Sequence, residues 1–188
     1  MPKVVDHDAY RQDLLARSFS LFARKGYASV TMREIARHLK VSTGTLYHYF
    51  ETKEDLFHQL VRHVSDQDVQ SAVADVQDSS SFAEKIDRLF HFVSQKQDHL
   101  RDVLFLVLDF YRQAEDPAQR ANLRQTLEGY RIAIEEHLSL PRVVATMLLN
   151  LLLGTMLRCL LEPESSSFEE ELSLLRPLLN AAAIRQVA

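Results

Sequence analysis

The residues of this chain best equipped to recognise a partner lie within residues 31–53, TMREIARHLKVSTGTLYHYFETK. Thr43, Gly44, Thr45, Tyr47, His48 and Tyr49 are small or hydrogen-bonding, and only Leu46 interrupts them. Hydroxyl, phenol and imidazole groups can meet base edges and phosphate oxygens. The chemistry on offer is recognition rather than bond making.

Three short elements must position these groups. Thr31 is a good N-cap, Glu34 stands three residues on as its capping-box partner, and Ile35 with Leu39 forms an i, i+4 apolar stripe. Lys40 and Val41 break the periodicity, and Ser42 offers a second N-cap. Leu46 and Phe50 then give another i, i+4 pair on a helix of barely two turns, too short to be stable alone. Gly44 in its first turn costs helix stability, which makes sense if another surface must approach the backbone there; turn flexibility is the alternative. Thr52 caps a third helix whose first turn holds Lys53, where the helix dipole disfavours a cation and a nearby phosphate would relieve the conflict.

The stretch REIARHLKVSTGTLYHYF and the following TKEDLF resemble the DNA-binding segment of the TetR/AcrR family of bacterial transcriptional regulators. The resemblance covers roughly the first third of the chain and rests on the Val-Ser-x-Gly-x-Leu-Tyr-x-Tyr-Phe run with a lysine three residues after the phenylalanine. It implies phosphate contacts from Thr31, Arg33, Tyr47, His48, Tyr49 and Lys53, with Thr43, Gly44 and Thr45 nearest the bases. Arg37 and Lys40 read as ordinary solvated charges, and Tyr47 has a core reading as its alternative.

Composition agrees with an all-α fold. The 188 residues include only four glycines and five prolines, no tryptophan, and no convincing alternating strand pattern. The expected architecture is an N-terminal three-helix helix-turn-helix DNA-binding domain over residues 1–52 and a C-terminal helical ligand-binding and dimerisation domain over residues 53–188, with about nine helices. Residues 1–63 hold ten Lys and Arg against seven Asp and Glu, and residues 64–188 hold twelve against nineteen, so the two parts carry +3 and −7. A polyanion should meet the N-terminal end. The lone cysteine, Cys159, excludes an internal disulfide, and the start MPKVVDHDAYRQD lacks the apolar core of a secretion signal, which together with the family resemblance implies a cytoplasmic location.

Along the chain, a first helix is predicted over residues 8–25 and ends at Gly26, and the helix after Thr52 runs on towards Val76. After a polar break at 77–81, a stripe from Phe82 to Val93 predicts a helix ending near His99. Residues 100–113 are apolar on nearly every side, as expected of a helix at the centre of the second domain. Pro117 suits the start of the next helix, and Leu123, Leu127, Tyr130, Ile134 and Leu138 repeat along it at near-heptad spacing. Residues 143–157 form an uncharged run of fifteen, short of the ~20 needed to span a bilayer, so no membrane association is expected. A helix this apolar needs cover on two sides. That predicts a homodimer through the last two long helices, about 141–162 and 167–184, with Pro177 kinking the second.

The expected function is a ligand-responsive repressor that binds a palindromic double-stranded DNA operator as a dimer and is released by an unknown small-molecule effector. Phe90, Phe105, Asp109, Tyr130, Asn150 and Met156 are the candidate pocket residues. Asp109 could instead pair with Arg112, and Asn150 could pair with its symmetry mate. A second reading gives the C-terminal domain a protein partner; a third is an all-helical enzyme. The eight histidines suggest no metal site, since His58 and His63 are five apart, and no phosphate loop, nucleophile elbow or cofactor motif is present.

Overall fold

The structure, a computed structural model, describes residues 6–114, 116–162 and 168–184. Among the described residues the chain forms nine helices and no strands: α1 (His7–Lys25), α2 (Met32–Leu39), α3 (Thr43–Tyr49), α4 (Lys53–Val76), α5 (Phe82–Gln95), α6 (Gln97–Gln113), α7 (Pro117–Leu138), α8 (Arg142–Leu161) and α9 (Phe168–Ile184). Two compact units result, the first from residues 1–66 and 102–126, the second from 67–101 and 127–188.

The boundary differs from the expected division at residue 52. Leu56, Phe57, Leu60, Val61 and Val64 of α4 bury with Leu14, Phe22, Ile35 and Leu46, and Val103, Leu106 and Phe110 of α6 join the same core. Apolar burial, the dominant favourable term, therefore draws the first half of α4 and most of α6 into the N-terminal unit. Residues 100–113 are likewise not enclosed on every side, because Phe105, Leu108 and Tyr111 stay exposed opposite Val103, Leu106 and Phe110. The α5–α6 junction also comes early: the backbone bends at Lys96, whose N–H donates to Phe92 O. The sequence there, QKQDHL, is polar throughout apart from its last residue and carries no periodicity to mark the break.

In the first unit, aromatic rings close around the turn after α1. Tyr27 lies 4.8 Å from Phe57 and 4.7 Å from Phe110, centroid to centroid, both edge to face. Asp109 of α6 accepts the Tyr27 N–H at 2.7 Å, and Lys53 of α4 donates to the Tyr27 carbonyl at 2.9 Å with its ammonium 4.1 Å from the ring centroid. Gly26 permits this closure, with φ 73° and ψ 161°, a region open essentially to glycine alone, and a Cβ there would lie 2.9 Å from Asp109 Oδ2.

The second unit packs α5 and α8 on α9. Ile86, Phe90 and Val93 of α5 bury, as do Phe168, Leu172 and Leu179 of α9 and Ala145, Leu148 and Leu152 of α8. Its buried charges are matched: Arg131 reaches Glu128 and Glu135, and Asp68 accepts from the Tyr130 hydroxyl at 3.1 Å and lies 3.1 Å from His99 Nε2. By length and composition α8 could cross a membrane. One of its faces, however, is buried on protein through Ala145, Leu148, Leu152 and Met156. The serines between α8 and α9, and Pro163, lie outside the described residues; α9 continues through Pro177.

Gly26→Ala should destabilise the protein by about 1–3 kcal/mol in urea unfolding, through the strained φ and the crowded carboxylate together. Adding Asp109→Ala relieves the crowding but leaves the strained φ and removes the acceptor of the Tyr27 N–H, so the double variant should remain less stable than wild type.

Candidate nucleic-acid interface

Local rules build the head. Thr31 caps α2: its hydroxyl accepts the Glu34 N–H at 3.3 Å, while the Glu34 carboxylate accepts the Thr31 N–H at 3.0 Å, completing the capping box. α2 then ends at Lys40, which is left-handed at φ 58°, ψ 42°. Lys40 N–H bonds Arg37 O and Val41 N–H bonds Ala36 O, so the orphan carbonyls are satisfied by a Schellman turn with lysine in the place glycine usually takes. Ser42 starts α3 by accepting the Thr45 N–H at 2.9 Å. Thr52 starts α4 by accepting the Asp55 N–H at 3.0 Å, and Asp55 returns a carboxylate to the Glu51 N–H.

These caps aim α3, only seven residues long. Leu46 and Phe50 are 0% and 1% exposed, whereas Tyr47 is 55% exposed, and Thr43, Gly44 and His48 are exposed with it. The face rich in hydrogen-bonding groups is therefore left to solvent, and Tyr47 is not a core residue. Arg33, Arg37 and Lys40 are exposed on α2 and the turn after it, adding positive charge.

The remaining predicted contacts are more internally engaged. Thr31 is exposed but spends its hydroxyl on the capping box, and the Thr45 hydroxyl lies 2.8 Å from Ser42 Oγ. Tyr49 is half-buried, with its hydroxyl 2.9 Å from His7 Nδ1 and its ring 5.4 Å from Tyr10. Lys53 turns inward onto Tyr27; burial pulls its ammonium below the usual lysine range, and the Asp109 carboxylate works in the opposite direction. One of its three donors is spent on the Tyr27 carbonyl. His7, forty-two residues from Tyr49, carried no signal in the sequence, because pairing across that distance has no period.

The six candidate pocket residues divide between the units. Phe105 and Asp109 belong to the first: Phe105 is 42% exposed, and the Asp109 carboxylate accepts from the Tyr27 N–H and from Gln113. Phe90, Tyr130, Asn150 and Met156 belong to the second, where Phe90 and Met156 are buried, Tyr130 is half-buried on Asp68, and Asn150 is exposed.

An all-α head with two capped short helices at a tight turn, the second presenting a polar face, defines a helix-turn-helix protein. Residues 14–60 match the family model of bacterial regulatory proteins, tetR family. HTH-type transcriptional regulator HbdR of Aromatoleum sp. (strain CIB) is 32% identical over 92 residues, 49% of this chain and 38% of that protein. HTH-type transcriptional regulator BetI of Agrobacterium fabrum is 28% identical over 115 residues, 61% of this chain and 56% of that one. The chain thus spans from 38% to 56% of the length of these relatives. The fold extends the likeness: fatty acid degradation regulator FadR from Bacillus halodurans superposes with a TM-score of 0.73 at 17% identity, covering 90% of this chain and 97% of that one. Residues 14–60 thus carry the DNA-binding segment of the tetR family of bacterial regulatory proteins, and the rest of the chain shares the fold of such regulators. The proteins it resembles are regulators rather than enzymes.

The capping box makes an acid prediction. Hydrogen bonds from Lys25 and Thr31 hold the Glu34 carboxyl down to about 2, against 4.5 ordinarily. A depressed carboxyl stabilises the fold above its unfolded pKa and loses that contribution as pH falls through the folded one. The gap in melting temperature between wild type and Glu34→Gln should therefore narrow steadily from pH ~4.5 to ~2. A gap constant over that range would show that the carboxylate charge does not matter.

Proposed function

We propose that this protein is a DNA-binding transcriptional regulator, a repressor that binds a near-palindromic operator as a homodimer and is released by a small molecule held in the second unit. The observation that carries the reading is α3: apolar side chains wholly buried behind it and Thr43, Gly44, Tyr47 and His48 exposed in front. Thr43, Gly44 and Thr45 lie nearest the bases, with Thr31, Arg33, Tyr47, His48 and Tyr49 on phosphates. Lys53 joins them through its remaining donors while bracing the turn at Tyr27.

A single head contacts too few base pairs for genomic specificity, whereas a two-fold dimer reads half-sites about 34–36 Å apart or a multiple of that spacing. Val143, Met147, Asn150, Gly154, Leu157 and Leu161 of α8 are exposed and recur every three or four residues along one stripe, and Leu174 of α9 is 73% exposed. Covering that stripe with its symmetry mate buries the apolar surface α8 otherwise leaves in water. The effector meets Phe90, Tyr130 and Met156 of the second unit and shifts the balance between DNA-competent and incompetent states by binding them unequally. The protein works in the cytoplasm, where its operator is.

Two substitutions test the reading. Selection of bound fragments from random duplexes should yield a two-fold symmetric site. Gly44→Ala should fold at least as stably as wild type, because a Cβ there meets only Ser42 Oγ at 3.6 Å, yet bind that site at least tenfold more weakly as the added methyl meets DNA. Undiminished affinity would mean that no surface approaches α3 at Gly44. Met147→Glu places a charge in the α8 stripe and should turn the dimer into a monomer by sedimentation, with loss of operator affinity; a wild-type dimer would put the interface elsewhere.

A further inference from the structure

His7 opens α1 as an exposed residue, yet its ring reaches the far end of α3. Its Nδ1 lies 2.9 Å from the Tyr49 hydroxyl, and its centroid is 6.0 Å from that of Tyr49 and 6.1 Å from that of His48. Tyr10 flanks Tyr49, and His48 meets it edge to face at 5.0 Å. A titratable ring thus grips the one hydroxyl through which Tyr49 would reach a phosphate.

A phenol has one proton to donate. Beside a neutral imidazole carrying its hydrogen on Nε2, Tyr49 gives that proton to Nδ1, and its oxygen turns only lone pairs towards an approaching phosphate. Protonation from solvent puts hydrogens on both ring nitrogens, so Nδ1–H must donate to the Tyr49 oxygen. The Tyr49 O–H is then released to donate outward, and a positive charge appears next to it. No covalent bond other than that N–H is made or broken.

We propose that His7 is a protonation-controlled positioning residue for the Tyr49 phosphate contact, so that operator binding takes up a proton at His7. The inference rests on the DNA-binding reading above and adds to it a residue outside the helix-turn-helix. Among the described residues, the ring meets Tyr49 and His48 of α3, Tyr10 lies on the other side of Tyr49, and the N-cap Asp6 with Asp8 and Arg11 of α1 are its charged neighbours along the chain. The Asp6 carboxylate is occupied by the Asp8 and Ala9 N–H groups at 3.1 Å each, and the Arg11 Nε is buried. His48 is the second imidazole at this end and supplies the internal comparison.

The test is fluorescence anisotropy of the full chain with the selected duplex at fixed ionic strength, from pH 8 to 5.5. Uptake of one proton should tighten wild-type binding roughly three- to tenfold across that range. His7→Gln should flatten the profile near the weak, high-pH affinity. His48→Gln should weaken binding but keep the slope. Tyr49→Phe should lose most of the slope although His7 can still charge. A wild-type slope in His7→Gln, or an undiminished one in Tyr49→Phe, overturns the proposal. Imidazole nitrogen chemical shifts of the free protein at pH 8 should identify His7 as the Nε2–H tautomer with an accepting Nδ1; a hydrogen already on Nδ1 overturns it independently of any duplex. Absence of duplex binding by wild type at every pH would instead sink the DNA-binding reading.

Discussion

The head depends on the burial of two side chains, Leu46 and Phe50, beneath a helix too short to exist without them. A free helix of seven residues pays its nucleation cost with almost nothing in return, since helices below about 12–15 residues are marginal in water. Leu46 and Phe50 are 0% and 1% exposed, and removing each from water stabilises the arrangement by about 1.5–3 kcal/mol. That burial also selects a face. With the apolar pair held inward, the hundred-degree advance per residue turns Gly44, Tyr47 and His48 outward, and Thr43 is exposed as the first residue of the helix.

Everything adjacent to α3 serves to hold that face in register. The Schellman turn at Lys40 accepts a left-handed lysine so that α2 can stop and α3 can start within three residues. The Tyr27 peptide is held at both ends, its N–H by Asp109 and its carbonyl by Lys53, so α6 and α4 both bear on the turn leading into α2. The same groups give up freedom to do so. Lys53 spends a donor inside the protein, and Asp109 leaves no room for any residue but glycine at position 26.

The parts legible in the sequence were those governed by local chemistry. Thr31 with Glu34, Ser42 and Thr52 announce their helices because a cap and its partner lie three residues apart, and Gly26 ends α1 for the same short-range reason. The parts that were not legible depend on pairing across the chain. That α6 belongs with the head, that Asp109 serves a backbone N–H eighty-two residues away, and that His7 meets Tyr49 follow from packing no period encodes. The apolar run 103–111 reads the same whether all its sides are enclosed or, as here, only Val103, Leu106 and Phe110 are buried. The exposed stripe on α8 was foreseen from composition, since a helix apolar all round outnumbers the neighbours one chain can provide.

The most direct measurement is backbone amide chemical-shift mapping of the full chain on addition of the selected duplex. The account predicts that the largest perturbations run from Thr43 to Tyr49, with lesser ones at the start of α2, and that the amides of α8 and α9 keep their positions. Perturbations centred on any other helix, with residues 43–49 unmoved, would contradict it.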